Sequence, residues 1–253
     1  MTVKDYMDWI EKEAPVENAL DWDNVGLMVG SPSQEVTGVL LCVDLTGKVF
    51  EEAADQNCNL IITHHPIIFH GLTRLEETRG TDRRIFRAIK ENITVLSYHT
   101  NLDMAPAPFG INYHLALALG LENIRAVRDG FHYVGELTDP VSASVFMDRL
   151  NSRLDTRSRG LYNKGPEQLI KRVGVSCGAY DDELDWISEY GCDALVTGEA
   201  KQSALIDLSF ENFTVYLSGH YATELPGMRA LADRLPGRVL VSFRPAGDGA
   251  LIL

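Results

Sequence analysis

Cysteine is scarce in this chain, and the four present, Cys42, Cys58, Cys177 and Cys192, form no C-x-x-C pair. That spacing argues against a thiolate zinc ribbon and against a dithiol redox motif. It leaves the four as small buried hydrophobes in a reducing compartment. Also absent is any apolar run near the ~18–20 residues that a membrane-spanning helix needs. The opening stretch, M-T-V-K-D-Y-M-D-W-I-E-K, is acidic and amphipathic, unlike a signal or transit peptide. A cytoplasmic protein with no membrane partner is expected. No block of five or six basic residues occurs, and the formal net charge is −13. A general nucleic-acid surface, which needs clustered Lys and Arg, is therefore disfavoured. No G-x-x-x-x-G-K-[ST] phosphate loop and no low-complexity linker is present. What remains, 45% apolar and 23% charged over 253 residues, is a globular composition with enough chain for one large core or two modest ones.

The most informative stretch is N-L-I-I-T-H-H-P-I-I-F, from Asn59 to Phe69. Leu60-Ile61-Ile62 reads as a buried strand, and Pro66, which cannot donate to a ladder, stops it. His64 and His65 then lie at the carboxyl end of that strand, where open α/β sheets bind ligands. Val39–Val43 reads as a second buried strand, followed by a helix capped near Thr46 and running to about Gln56. Helices are expected over residues 3–13 and Val141–Leu154, Asp23-Asn24 and Gly26 read as a turn feeding an apolar strand, and a further strand is expected over His132–Leu137.

Residues 173–199 repeat this pattern. A strand ends near Cys177, and an acidic N-cap region (Asp181, Asp182) opens a helix. Cys192 then precedes Ala194-Leu195-Val196-Thr197. Cys58 and Cys192 stand at the same offset as Thr63 and Thr197, which puts Gly198 and Glu199 at the places of His64 and His65. A second match follows. S-Y-H-T-N-L-D and S-G-H-Y-A-T-E, aligned on Ser97 and Ser218, pair His99 with His220 and Asp103 with Glu224. Each leads through a Pro- and Gly-containing stretch to a helix, Asn112–Leu119 and Met228–Leu235. The expected fold is α/β, with duplicated β-α-β modules over residues 1–125 and 126–253 and a two-metal site between them.

Imidazoles and carboxylates gathered in such numbers are costly to bury without a partner, and a divalent cation is the simplest one. Mixed N/O ligands suit Zn, Fe, Mn, Co or Ni. Adjacent histidines on an extended backbone point apart, so two ions with a bridging carboxylate suit the pair better than one. The candidate ligands are His64, His65, Asp103, His220 and Glu224, the last two spaced i,i+4 for one helix face. Glu199 and His99 are candidates for ligation, for orienting a ligand, or for moving protons. Each has a plainer alternative: a backbone hydrogen bond for His99, an exposed polar pair for His220 and Glu224, a solvated helix-start carboxylate for Glu199. His70, His114 and His132 fit no constellation.

W-D-N-V-G-L, C-V-D-L-T, I-I-T-H-H-P-I-I-F, S-Y-H-T-N-L-D, L-V-T-G-E and G-H-Y-A-T-E together resemble the dinuclear-metal-centre hexameric family, also called GTP cyclohydrolase 1 type 2 homologue or NGG-one-interacting-factor-three-like. The resemblance covers nearly the whole chain. It implies a duplicated α/β fold and a homohexamer built as a trimer of dimers. It also implies two divalent ions per subunit on His64, His65, Asp103, His220 and Glu224. Many members carry a histidine shortly after T-G-[DE], where this chain has Lys201 and Gln202, and the large inserted domain of longer members is missing. Three functions are compatible: a metal-dependent hydrolase of a small molecule, a non-enzymatic metal-delivery or cofactor-assembly protein, and a structural ring scaffold.

Overall fold

The computed structural model describes residues 1–180 and 185–242. In chain order the elements are α1 (Val3–Glu11), β1 (Gly26–Val29), β2 (Val39–Cys42), α2 (Gly47–Asp55), β3 (Leu60–Thr63), α3 (Gly80–Lys90), β4 (Thr94–Ser97) and α4 (Thr100–Asp103). They continue with α5 (Ile111–Ala118), β5 (Glu122–Val127), β6 (His132–Ser142), α6 (Ala143–Leu154), β7 (Arg159–Tyr162) and β8 (Leu169–Tyr180). The last are α7 (Asp185–Glu189), β9 (Ala194–Ala200), α8 (Gln202–Leu208), β10 (Thr214–Leu217), α9 (His220–Arg234) and β11 (Val239–Val241). No helix among the described residues is long and apolar enough to cross a membrane. The four cysteines are buried and free, as their spacing suggested.

Two compact units result, one of Met1–Ala105 with Met228–Leu253, the other of Pro106–Gly227. The expected module boundary at 125/126 falls inside β5, which pairs antiparallel with β6 of the second unit. At the other end β11 adds in parallel to β2, so the chain closes back onto the first sheet.

The first sheet has the order β1-β4-β3-β2-β11. β4, β3, β2 and β11 are mutually parallel, and β1 runs antiparallel on the edge. Every residue of β2, β3 and β4 is buried. This is why V-L-L-C and L-I-I-T are continuous apolar runs and not alternating ones: a parallel sheet is covered on both faces. Thr46 caps α2 by accepting from Val49 N, and α2 lays Val49, Phe50 and Ala53 against Leu40, Ile61 and Val95. The carboxyl ends of β2, β3 and β4 lie side by side, so Asp44, His64, His65 and His99 leave the sheet along one edge.

The second sheet has the order β5-β6-β8-β9-β10-β7, with β8, β9 and β10 parallel. β8-α7-β9-α8-β10 thus repeats β2-α2-β3-α3-β4, the duplication anticipated from sequence. Trp186 of α7 packs with Val134, Leu195, Phe213 and Val215 in the core of this unit.

Three details depart from expectation. β8 continues beyond Cys177 to Tyr180, through a register shift between Ser176 and Ala179 where Gly178 takes φ +65°. Asp181 and Asp182, the expected N-cap, lie outside the described residues. The ladders also place the second repeat one residue away from the alignment on serines. Thr63 pairs with Ser97, but Thr197 pairs with Leu217, so His220 takes the place of Thr100 and not of His99. α9 starts at His220, eight residues before the expected Met228, and carries Pro226 inside it.

Replacing Ile61 by Ala on β3 is expected to lower stability by about 2–5 kcal/mol in chemical denaturation, because its side chain is fully buried. Phe210→Ala, at an exposed position, should stay within about 0.5 kcal/mol. Equal effects would contradict the assigned core.

Candidate metal centre

In the first unit the chain bends as it leaves β3. The Thr63 hydroxyl donates to His65 O at 2.8 Å, and the Ser97 hydroxyl lies 2.7 Å from it. His64 N and His65 N donate to Cys42 O and Val43 O, each at 3.0 Å. The backbone is therefore not extended here, and the neighbouring imidazoles do not diverge as expected. Their ring centroids are 5.1 Å apart, and His99 joins at 5.0 Å from His64 and 5.4 Å from His65. One ring nitrogen from each of the three lies within 4.8 Å of the others, close enough that the group could hold a metal ion.

The hydrogen bonds decide which nitrogen is available. His64 is fully buried with Nδ1 3.0 Å from Tyr98 O. A carbonyl only accepts, so Nδ1 carries the proton and the Nε2 lone pair points the other way. Buried Asp103 places Oδ1 3.5 Å from that Nε2. His65 Nδ1 is 2.9 Å from Asp44 Oδ1, and His99 Nδ1 is 3.0 Å from both Asp23 oxygens. Asp23 also accepts from Thr100 N at 3.0 Å and from the Thr100 hydroxyl at 2.6 Å. Burial pushes the Asp23 carboxyl up, but hydrogen bonds from His99 and Thr100 together with the charge of His99 outweigh it and hold the group well below the usual carboxylate range.

In the second unit, His220 opens α9 and Glu224 follows one turn later. His220 Nε2 is 3.0 Å from Glu224 Oε1, and Nδ1 is 2.9 Å from Glu199 Oε1. Glu224 is buried, whereas the Glu199 side chain is 61% exposed, so Glu199 orients His220 from the solvent side. Two glycines let α9 come this close. A Cβ on Gly198 would lie 2.4 Å from Gly178 O and 2.7 Å from His220 Cα, both backbone atoms. A Cβ on Gly178 would lie 2.7 Å from Glu224 Oε1. Gly178 N in turn donates to the Thr223 hydroxyl of α9 at 3.1 Å.

The structure thus gathers His64, His65, His99 and Asp103 in one unit and His220, Glu224 and Glu199 in the other. Asp23, Asp44, Gly178 and Gly198 are further parts that the sequence reading did not single out. Asp44 had a visible signal, a carboxylate just past a buried strand beside the histidine strand, while Asp23 read only as a turn residue. His132 is structural, stacked on Trp186 at 4.6 Å, and His114 reaches Pro108 O at 2.6 Å.

Fold and residues together define an α/β protein whose strand ends carry histidine–carboxylate clusters able to bind a metal ion. The chain belongs to the Duf34/NIF3 (NGG1p interacting factor 3) family, whose model matches residues 1–243. It is 32% identical over 245 residues to a protein of Clostridium acetobutylicum named GTP cyclohydrolase 1 type 2 homolog, covering 94% of this chain and 90% of the relative. A Streptomyces coelicolor protein of the same name is 33% identical over 84% of this chain and 78% of its own length. The crystal structure of the Staphylococcus aureus hypothetical protein SA1388 superposes with a TM-score of 0.87 at 26% identity, over 96% of this chain and 97% of that one.

Asp44→Asn removes the carboxylate behind His65 and is expected to weaken metal affinity about 10–100-fold in chelator competition, with the fold intact by circular dichroism. Unchanged affinity would mean that His65 needs no orienting group. Gly198→Ala should displace the start of α9 and cost about 1–3 kcal/mol in denaturation, through overlap with backbone that cannot rotate away. A neutral result would contradict that packing.

Proposed function

We propose that His64, His65 and Asp103 of the first unit, with His220 and Glu224 of the second, bind two divalent metal ions per subunit, and that the protein is a metal-dependent hydrolase of a small molecule. The observation that carries this reading is the state of the imidazoles. Nδ1 of His64, His65 and His220 is engaged by Tyr98 O, Asp44 and Glu199, which makes Nε2 the ligand atom in this reading, and Nε2 of His64 and of His220 already faces a carboxylate, Asp103 Oδ1 at 3.5 Å and Glu224 Oε1 at 3.0 Å. The donor set fits divalent ions: nitrogens and carboxylate oxygens with no thiolate, suited to Zn, Fe, Mn, Co or Ni. Buried Asp103 and Glu224 are the charges such ions would balance.

When bound, the ions would supply Lewis-acid polarisation and water activation. The protein's own part is orientation and proton handling. Asp23 holds His99 by Nδ1, which leaves Nε2 to accept or return a proton at the cluster. Glu199 holds His220 and, being exposed, exchanges protons with solvent. The name shared by the relatives supports a hydrolytic reading in general terms, with no phosphate loop to specify a nucleotide. A homohexameric assembly, a trimer of dimers, belongs to the same proposal.

Elemental analysis of protein purified without chelator, with His64→Ala and Glu224→Ala alongside, tests the centre. Metal near two per subunit that falls in both variants is the expected result. A variant that keeps full metal removes its residue from the ligand set. If metal-loaded protein leaves nucleotides, phosphoesters and amides untouched but passes its metal to an apo acceptor, a delivery role replaces the hydrolase.

A further inference from the structure

The carbonyl that faces His64 belongs to a peptide plane that the sheet does not hold. β4 ends at Ser97, and its ladder with β3 closes with Tyr98 N donating to Thr63 O at 3.1 Å. The next plane joins Tyr98 to His99. Its carbonyl accepts from His64 Nδ1 at 3.0 Å, and its N–H donates to Asn101 Oδ1 at 3.0 Å. A peptide plane can turn over by opposite rotations of the two torsions beside it, leaving the chain on either side in place. Turned over, this one would present its N–H to His64 Nδ1. Nδ1 would then have to accept, and the ring proton would sit on Nε2.

Two buried side chains hold the plane, and both lead to the same place. Asn101 accepts from His99 N and donates from Nδ2 to Ala14 O at 2.8 Å. An N–H only donates and a carbonyl only accepts, so the orientation of this amide is settled by its two partners. Tyr98 is fully buried, and its hydroxyl donates to Glu11 Oε1 at 2.9 Å. Glu11 is the last residue of α1, and Ala14 follows just beyond it. Docking of α1 does not need these two bonds. Val3, Tyr6 and Ile10 bury its inner face, the Tyr6 hydroxyl donates to Pro236 O at 2.9 Å, and Val3 N and Lys4 N donate to Gln34 O and Pro32 O. A phenylalanine at 98 would fill the same space with no acceptor to find. The buried phenol aimed at a carboxylate, and the buried amide with both ends engaged, act instead on the plane they flank.

We propose that Asn101 and Tyr98 are positioning residues that brace the Tyr98–His99 peptide plane against the end of α1, and that this brace selects Nε2 of His64 as the atom offered to a ligand. The end of α1, which brings no group of its own to the histidines, is thereby part of what prepares them. The inference deepens the metal-centre reading and rests on it for what Nε2 binds. The tautomer of His64 in metal-free protein is independent of that reading.

Nitrogen-15 NMR of histidine-labelled, metal-free protein, at a pH where the ring is neutral and with signals assigned against His64→Ala, reads the tautomer directly. The wild type is expected to carry the His64 proton on Nδ1. Asn101→Leu, which removes both ends of the amide's bridge, should bring in the Nε2-protonated form and weaken zinc affinity at least about tenfold in chelator competition. Glu11→Leu should move both readouts in the same direction. Glu11→Gln, which keeps an acceptor for the Tyr98 hydroxyl, should behave as the wild type. A brace with a purely structural role would lower the melting temperature of the two leucine variants without moving tautomer or affinity, and that result overturns the proposal. Glu11→Gln behaving as Glu11→Leu also overturns it. If Asn101→Leu does not fold, the two Glu11 variants decide the matter by the same readouts. A tautomer shift in a protein that binds no zinc supports the brace and counts only against the metal-centre reading.

Discussion

Nδ1 of His64, His65, His99 and His220 sits against Tyr98 O, Asp44, Asp23 and Glu199. These four contacts fix ring orientation, tautomer and basicity together, and most of the surrounding architecture serves to hold them. An imidazole with both nitrogens in water rotates and titrates freely. With one nitrogen tied to a carbonyl or carboxylate, the other becomes a directed lone pair. Three of the four acceptors are acids, so the clusters carry negative charge that favours a cation.

The parallel sheets make the contacts possible. Asp44 leaves β2, His64 and His65 leave β3, and Tyr98 and His99 leave β4, three neighbouring strands whose ends line one edge. The buried residues of those strands make the edge rigid. In the second unit the same order of elements produces a different solution. Glycines at 178 and 198 admit the start of α9, and the helix itself supplies both the imidazole and the buried acid. The repeats therefore share topology while differing in how they deliver imidazoles and carboxylates.

Much of this was legible in the sequence, for definable reasons. Continuous apolar runs such as L-I-I-T disclose strands of a parallel sheet, because burial on both faces removes alternation. The spacing of His220 and Glu224 matched one helix face, and both lie on α9. The convergence of His64 and His65 was not legible, since it depends on a bend made by the Thr63 hydroxyl. Nor was the one-residue offset between repeats, which is set by ladder register. Asp23 reads in sequence as part of a turn with Asn24, whereas the turn itself lies at Asp21-Trp22 and Asp23 closes it, and its role at His99 is a contact 76 residues apart in sequence. The early start of α9 was hidden by Pro226, a residue that usually marks a boundary.

Anomalous diffraction from crystals of the zinc-loaded protein shows whether these imidazoles bind metal through Nε2. Two peaks per subunit are expected, with His64, His65 and His220 each coordinating through Nε2 at about 2.0–2.1 Å and Nδ1 still on its acceptor. Ligation through Nδ1, with the bonds to Tyr98 O, Asp44 and Glu199 broken, or no peak at these histidines, would contradict that expectation.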